Sequence, residues 1–305
     1  MTVQSGRWQR GVALLSLLGA AATAGVAGPG LASAATTGSA PSAALNSEYV
    51  ALGDSFAAGP LILPQVELDP CFQSANDYAH LLARALRVST FHDVTCSSAT
   101  TDNMTSPQPA SLPFDPAVPP QFDALTANTT LVTLTIGAND AGLVGLATGC
   151  LNLLPPPLGT SCAATYTAGG VDKGAAAVDA AIPKIAATLD AIHQRSPHAR
   201  VVVTSYGDYM TPGGCYPLQP IWPQDGAYLQ GLVDRIGTET ARLATTRPYV
   251  TYVDFIGPGA GHTACDPGNN WVTGFVPVDG IVPLHPTAQG EQAFAQLILA
   301  ALAKN

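Results

Sequence analysis

The sequence predicts an α/β fold: a parallel sheet of five strands, covered by helices on both faces. Three observations lead there. Strand-like and helix-like stretches alternate after residue 47. The strand-like runs are short and apolar, as expected for strands buried on both sides. Apolar residues make up 47% of the 305 and charged residues only 11%, which supplies a sizeable core and argues against disorder.

Taken in order, 48–52 (EYVAL) is the first strand and 76–88 is a helix. Tyr78, Leu81, Leu82, Ala85 and Leu86 fall on one face of that helix, and Asn76 can cap it. Residues 91–96 form a short second strand, and the third begins at 130 in TLVTLTIGAND. In 174–194, Val178, Ile182, Ile185, Leu189 and Ile192 make an apolar helical stripe. Pro183 inside it predicts a kink or a start nearer 181. Strands at 199–206 and 249–255 and helices at 225–244 and 286–303 complete the alternation, with Pro286 expected at the first helical position. Residues 57–75, 99–128, 140–172 and 207–224 read as long irregular stretches rich in proline and glycine. Ligands of parallel α/β sheets bind beyond the carboxyl ends of the strands, so loops leaving those ends are where chemistry is sought.

The start of the chain is of another kind. Arg7 and Arg10 precede a small, apolar run that ends in LASA, with Ala32 and Ala34 at the small-residue positions of a cleavage site. Residues 1–34 are therefore expected to be a secretory signal peptide, and 35–46 a disordered lead-in to a domain over 47–305. A secreted, extracellular protein with no stable membrane anchor after cleavage follows. The formal net charge is −9, and setting aside Arg7 and Arg10 makes it more negative still. No basic patch is visible, so nucleic acid is not an expected partner. Six cysteines, Cys71, Cys96, Cys150, Cys162, Cys215 and Cys265, fit three disulfides in a secreted chain. The sequence alone leaves the pairing open among about 15 arrangements. No CxxC spacing occurs, so no metal site is expected of them.

Four stretches carry residues suited to one chemistry. Gly53-Asp54-Ser55 leaves the first strand. Ser97 and Ser98 follow the second, in VTCSSATTDNM. Gly137-Ala138-Asn139-Asp140 follows the third. His285 lies in VPLHPTAQGEQ, before the last helix. A serine hydroxyl is a weak nucleophile that needs a base such as histidine, and the tetrahedral oxyanion it generates needs hydrogen-bond donors. Asn139 can offer a side-chain N–H, and the Ser98 turn a backbone N–H. Asp54 and Asp140 read as residues that hold their own loops. Trp222 and Trp271 either line a pocket or pack beneath a disulfide loop. His80, His193 and His262 have no partner at metal-ligand spacing.

GDSFAAG, then a cysteine-small-small-Ala turn, then GAND, then PLHP, in that order, resembles the GDSL or SGNH hydrolase superfamily. The likeness spans nearly all of 47–305, and the cysteines and long loops make it most similar to the secreted bacterial lipase and esterase branch. The resemblance implies a flavodoxin-like three-layer α/β/α fold and ester hydrolysis without a metal or other cofactor. It implies Ser55 as nucleophile and His285 as base. The implied oxyanion donors are the Ser55 N–H, the Ser98 N–H and the Asn139 side chain. It also implies the sequential pairing Cys71–Cys96, Cys150–Cys162 and Cys215–Cys265. Two positions depart from the family pattern. Ser98 stands where glycine is usual, which matters if the turn requires positive φ. Val282 stands where an aspartate often precedes the histidine by three residues. The expected acceptor for the His285 Nδ1–H is therefore the Val282 backbone carbonyl, with the Asp279 carboxylate as the fallback. The expected function is a monomeric secreted lipase or esterase acting on fatty-acyl or lipid esters. A phospholipase A, a polysaccharide deacetylase and a noncatalytic binding module of the same fold are the alternatives.

Overall fold

The computed structural model describes residues 45–66, 70–109 and 116–304. The expected signal peptide, and the lead-in through residue 44, lie outside them. Leu45 and Asn46 already belong to the folded domain: Leu45 packs on the core, and the Asn46 carbonyl accepts the Ser89 N–H at 2.7 Å.

Five parallel strands form one sheet: β1 (Glu48–Gly53), β2 (Thr90–Asp93), β3 (Leu131–Thr135), β4 (Arg200–Thr204) and β5 (Val250–Val253). Their order is β2-β1-β3-β4-β5. This is the flavodoxin-like doubly wound order, with its switch point between β1 and β3. Among the described residues seven α-helices accompany them: α1 (Ser55–Ala58), α2 (Tyr78–Leu86), α3 (Leu143–Thr148), α4 (Cys162–Tyr166), α5 (Lys173–Arg195), α6 (Pro223–Thr245) and α7 (Ala288–Ala303). Right-handed crossovers that wind away from β1 in both directions place helices on both faces. Accordingly α2 packs with α7, and α5 with α6. The β1, β3 and β4 runs are almost wholly buried, as their continuous apolar character requires, whereas β2 is a half-exposed edge.

Several local expectations are corrected. Asp77, not Asn76, caps α2 by accepting the His80 N–H at 2.7 Å; Asn76 instead donates to the Leu63 carbonyl. Helix α5 starts at Lys173, capped by Asp172, and runs through Pro183. The apolar stripe on its buried face outweighs the one backbone bond that proline removes. Pro286 precedes the N-cap of α7, which is Thr287. Two short helices, α3 and α4, lie within the stretch expected to be irregular. The disulfides join Cys71 to Cys96, Cys150 to Cys162 and Cys215 to Cys265. Among the described residues no helix is long and apolar enough to cross a membrane.

Candidate active site

The carboxyl end of β1 sets the first component. Gly53 holds φ +149°, and a Cβ there would lie 2.6 Å from the Thr135 carbonyl oxygen, so only glycine lets β1 lie against β3 at this point. The Gln121 side-chain amide brackets Gly53, donating to its carbonyl and accepting its N–H at 2.8 and 2.9 Å. The chain then turns into α1, whose first residue is Ser55. Asp54 caps this short helix, accepting the Phe56 N–H at 2.9 Å. Phe56 fixes the far side, stacking on Phe294 at 5.4 Å and meeting the Tyr206 ring edge-on at 5.3 Å. Among the described residues no hydrogen bond engages the Ser55 hydroxyl, which faces an open cleft.

The turns after β2 and β3 are joined to each other. Asn139 donates one side-chain N–H to the Ala99 carbonyl at 2.9 Å, which orients its amide and leaves the second N–H free. Asp140 accepts the Thr101 N–H and hydroxyl at 2.9 and 2.6 Å. It therefore braces the loop after β2 rather than only its own. The Cys71–Cys96 disulfide anchors the same loop, and the Ser97 N–H donates to the Cys71 carbonyl at 3.1 Å. Ser98 holds φ +69°, the left-handed conformation in which glycine would be unstrained. It is exposed and lies outside the residues that line the cleft, joined to Asn139 through its neighbour Ala99.

His285 reaches the cleft from the loop before α7. Its N–H donates to the Thr273 hydroxyl at 3.1 Å, and its carbonyl accepts the Thr273 N–H at 2.9 Å. The Nδ1 atom lies 2.7 Å from the Pro283 carbonyl. A carbonyl only accepts, so Nδ1 carries the proton and Nε2 keeps its lone pair for the cleft. This corrects the expected acceptor. The Val282 carbonyl takes the Thr273 hydroxyl at 2.7 Å, and the Asp279 carboxylate takes the Gly268 N–H. The intervening backbone fits this: Leu284 has φ +62°, which swings the chain bearing His285 back relative to the Pro283 carbonyl. Burial lowers the His285 pKa from its ordinary value of 6.5, with the Pro283 contact opposing, so the imidazole is neutral at neutral pH.

Tyr206 is the site residue that motif reading missed. It leaves the end of β4, is buried, and its hydroxyl joins two of the turns. It donates to Asp54 Oδ2 at 2.5 Å and accepts the Ala138 N–H at 2.9 Å. The residues beside the serine and beside the asparagine are thus tied to one oxygen. Burial pushes Asp54 up to about 7, while the Tyr206 and Phe56 hydrogen bonds pull it back. No motif marks Tyr206; its position at a strand's carboxyl end is the one available signal.

Ser55, Asn139 and His285 line a single cleft. Its other walls are mostly apolar and include Leu143, Val144, Met210, Ile221, Val233 and Phe275. Behind Met210 and Ile221 sits a second small core containing Cys150 and Cys162, so a disulfide stiffens that wall. Trp222 is buried and donates to the Leu154 carbonyl at 2.8 Å, packing under this loop rather than lining the cleft. His80, expected to have no partner at metal-ligand spacing, meets Asp77, the N-cap of its own helix, and Asp93 from β2. Burial raises Asp77 to about 8 and Asp93 well above the carboxylate range, so this cluster holds protons at neutral pH.

Residues 51–293 match the GDSL-like Lipase/Acylhydrolase family. The chain belongs to this family. It is accordingly a carboxylic ester hydrolase of the lipase and esterase type. The chain is 34% identical over 261 residues to Lipase 2 of Streptomyces coelicolor, with 82% of this chain and 83% of that protein covered. Among solved structures it resembles the extracellular lipase of Streptomyces rimosus, with a TM-score of 0.68, 27% identity, and 84% of this chain and 99% of the other covered. Phospholipase A1 from Streptomyces albidoflavus NA297 is similar at a TM-score of 0.67 and 25% identity, with 84% and 99% covered.

Proposed function

We propose that this chain is a secreted esterase or lipase that cleaves fatty-acyl esters through an acyl-enzyme on Ser55, with His285 as general base. One observation carries this reading: a free serine hydroxyl, a neutral histidine with its Nδ1 proton engaged, and an oriented asparagine amide share one apolar cleft. His285 Nε2 takes the Ser55 proton as Oγ bonds to the ester carbonyl carbon. The carbonyl oxygen gains the charge and is held by the Ser55 N–H and the free Asn139 N–H. Collapse expels the alkoxide, which takes the proton from His285. Water then attacks the acyl carbon, His285 removes its proton, and Ser55 regains it as the acid leaves.

The Pro283 carbonyl fills the place of a triad carboxylate by fixing the tautomer. Among the described residues the cleft lining contains no lysine or arginine, which favours uncharged acyl esters over substrates bound through phosphate. Its apolar walls likewise favour acyl chains over sugars. Three disulfides and the basic-apolar-LASA start support secretion.

A chain-length series of p-nitrophenyl esters with wild type and Ser55→Ala tests the reading. Wild type should prefer medium or long acyl groups to acetyl, and Ser55→Ala should lose activity while keeping its circular dichroism spectrum. Full activity in the folded alanine variant would overturn the nucleophile, and a clear preference for acetyl would overturn the substrate class.

A further inference from the structure

We propose that the loops around the cleft mouth form a docking face for a lipid surface of no net charge, so that the enzyme feeds its cleft while seated on the lipid. The inference rests on the reading of the cleft as an acyl-ester site. Three loops contribute. The first, closed by Cys150–Cys162, exposes Leu153 (85%), Leu154 (54%) and Leu158 (68%). The second, before His285, exposes Val276 (43%), Val278 (46%) and Ile281 (63%). The third, residues 215–222, joins them. Leu151 pairs with Ile221, the Asn152 N–H donates to the Pro220 carbonyl at 2.7 Å, and the Tyr216 hydroxyl to the Leu153 carbonyl at 3.3 Å. On the other side Gln219 exchanges two hydrogen bonds with Val276 at 2.9 Å each. The exposed side chains therefore sit on one bonded platform rather than being scattered singly, as ordinary surface leucines are.

Two features identify the occupant. The platform is continuous with the cleft: Ile221, Phe275 and the half-exposed Val144 line it. Its charge is confined to one acidic side chain, and it has no basic one. Residues 143–171 and 209–224 contain no Asp, Glu, Lys, Arg or His, and residues 274–284 contain only Asp279, whose carboxylate is taken by Gly268. An anionic membrane would be met by lysines and arginines, and these segments contain none. The disulfide and the proline run 155–157 hold the leucines in place before contact, so little ordering is lost on docking.

The test separates docking from catalysis. Ser55→Ala protein, which leaves lipid intact, is sedimented with phosphatidylcholine vesicles. Removing Leu153, Leu154 and Leu158 together as serines in that background should weaken binding by at least about 100-fold, since each buried leucine is worth roughly tenfold or more. With Ser55 restored, the triple variant should hydrolyse dissolved p-nitrophenyl butyrate within about twofold of wild type, showing an intact fold and cleft. Undiminished vesicle binding by the triple variant overturns the proposal. So does binding that appears only with anionic lipid. A self-association of the wild type that the three substitutions abolish, without vesicle binding, would assign the face to a second copy and equally overturn it. Loss of activity in Ser55→Ala bears on the catalytic reading alone and leaves the docking result independent.

Discussion

Tyr206→Phe probes the least expected part of the site. The substitution keeps the ring that meets Phe56 edge-on and deletes one oxygen. That oxygen serves two buried groups, Asp54 Oδ2 and the Ala138 N–H. A buried polar group left unpaired costs about 1–3 kcal/mol, so the two together should destabilise the fold by roughly 2–5 kcal/mol. The same loss unties the Ala138-Asn139 turn from the Asp54-Ser55 turn. Removing an oxyanion donor outright costs about 10²–10³ in kcat, and a loosened one should cost less, about 10- to 100-fold, with KM nearly unchanged. Urea unfolding and steady-state kinetics on a soluble ester measure both. Stability within about 0.5 kcal/mol and kcat within twofold of wild type would refute the reasoning.

Other consequences are checked as directly. Because burial lowers the His285 pKa, the acidic limb of kcat/KM should have its midpoint below 6.5. Asp279→Asn should leave kcat within about tenfold, because Pro283 and not Asp279 meets the ring; a loss beyond about 10³-fold would restore the carboxylate to the triad. Asp77, raised to about 8 in the folded state, binds its proton more tightly there than in the unfolded chain. Its contribution to stability is thus greatest below the unfolded value of about 4 and is lost as pH rises toward 8. Asp77→Asn, which retains a capping side chain, should flatten the fall in Tm between pH 5 and pH 8.5; an unchanged slope contradicts this. Ser98→Gly should raise stability by about 0.5–1 kcal/mol by relieving the positive φ. It should keep activity, since Ser98 lies outside the cleft lining; a tenfold loss would show that the hydroxyl matters.

How far the sequence spoke depended on how local each cause was. The strands were legible because β1, β3 and β4 are runs of buried apolar residues whose character needs no partner to be read. Their boundaries were less so: β2 was expected to reach Cys96, but the regular strand ends at Asp93, although Val94 and Cys96 still donate to the Ala51 and Gly53 carbonyls of β1. The Gly53-Asp54-Ser55, GAND and PLHP stretches were legible as chemistry because strand ends and a helix entry present them on one sheet edge. The acceptor for His285 was misplaced by one residue, because the carbonyl that the ring meets depends on the φ of Leu284, which no residue pattern announced. Tyr206 was invisible for a different reason. Its partners lie 152 and 68 residues away, and only the folded sheet brings them together. Likewise the meeting of His80 with Asp93 was not legible, because only the folded sheet brings β2 to that helix.

The central claim is that Ser55 is activated by His285 in the cleft at the carboxyl edge of the sheet. Labelling the intact protein with a fluorophosphonate, followed by peptide mass spectrometry, tests it most directly. The account predicts one phosphonylated residue, Ser55, with labelling abolished in Ser55→Ala and slowed at least about 10³-fold in His285→Ala. Modification at another serine, or undiminished labelling without the imidazole, would contradict it.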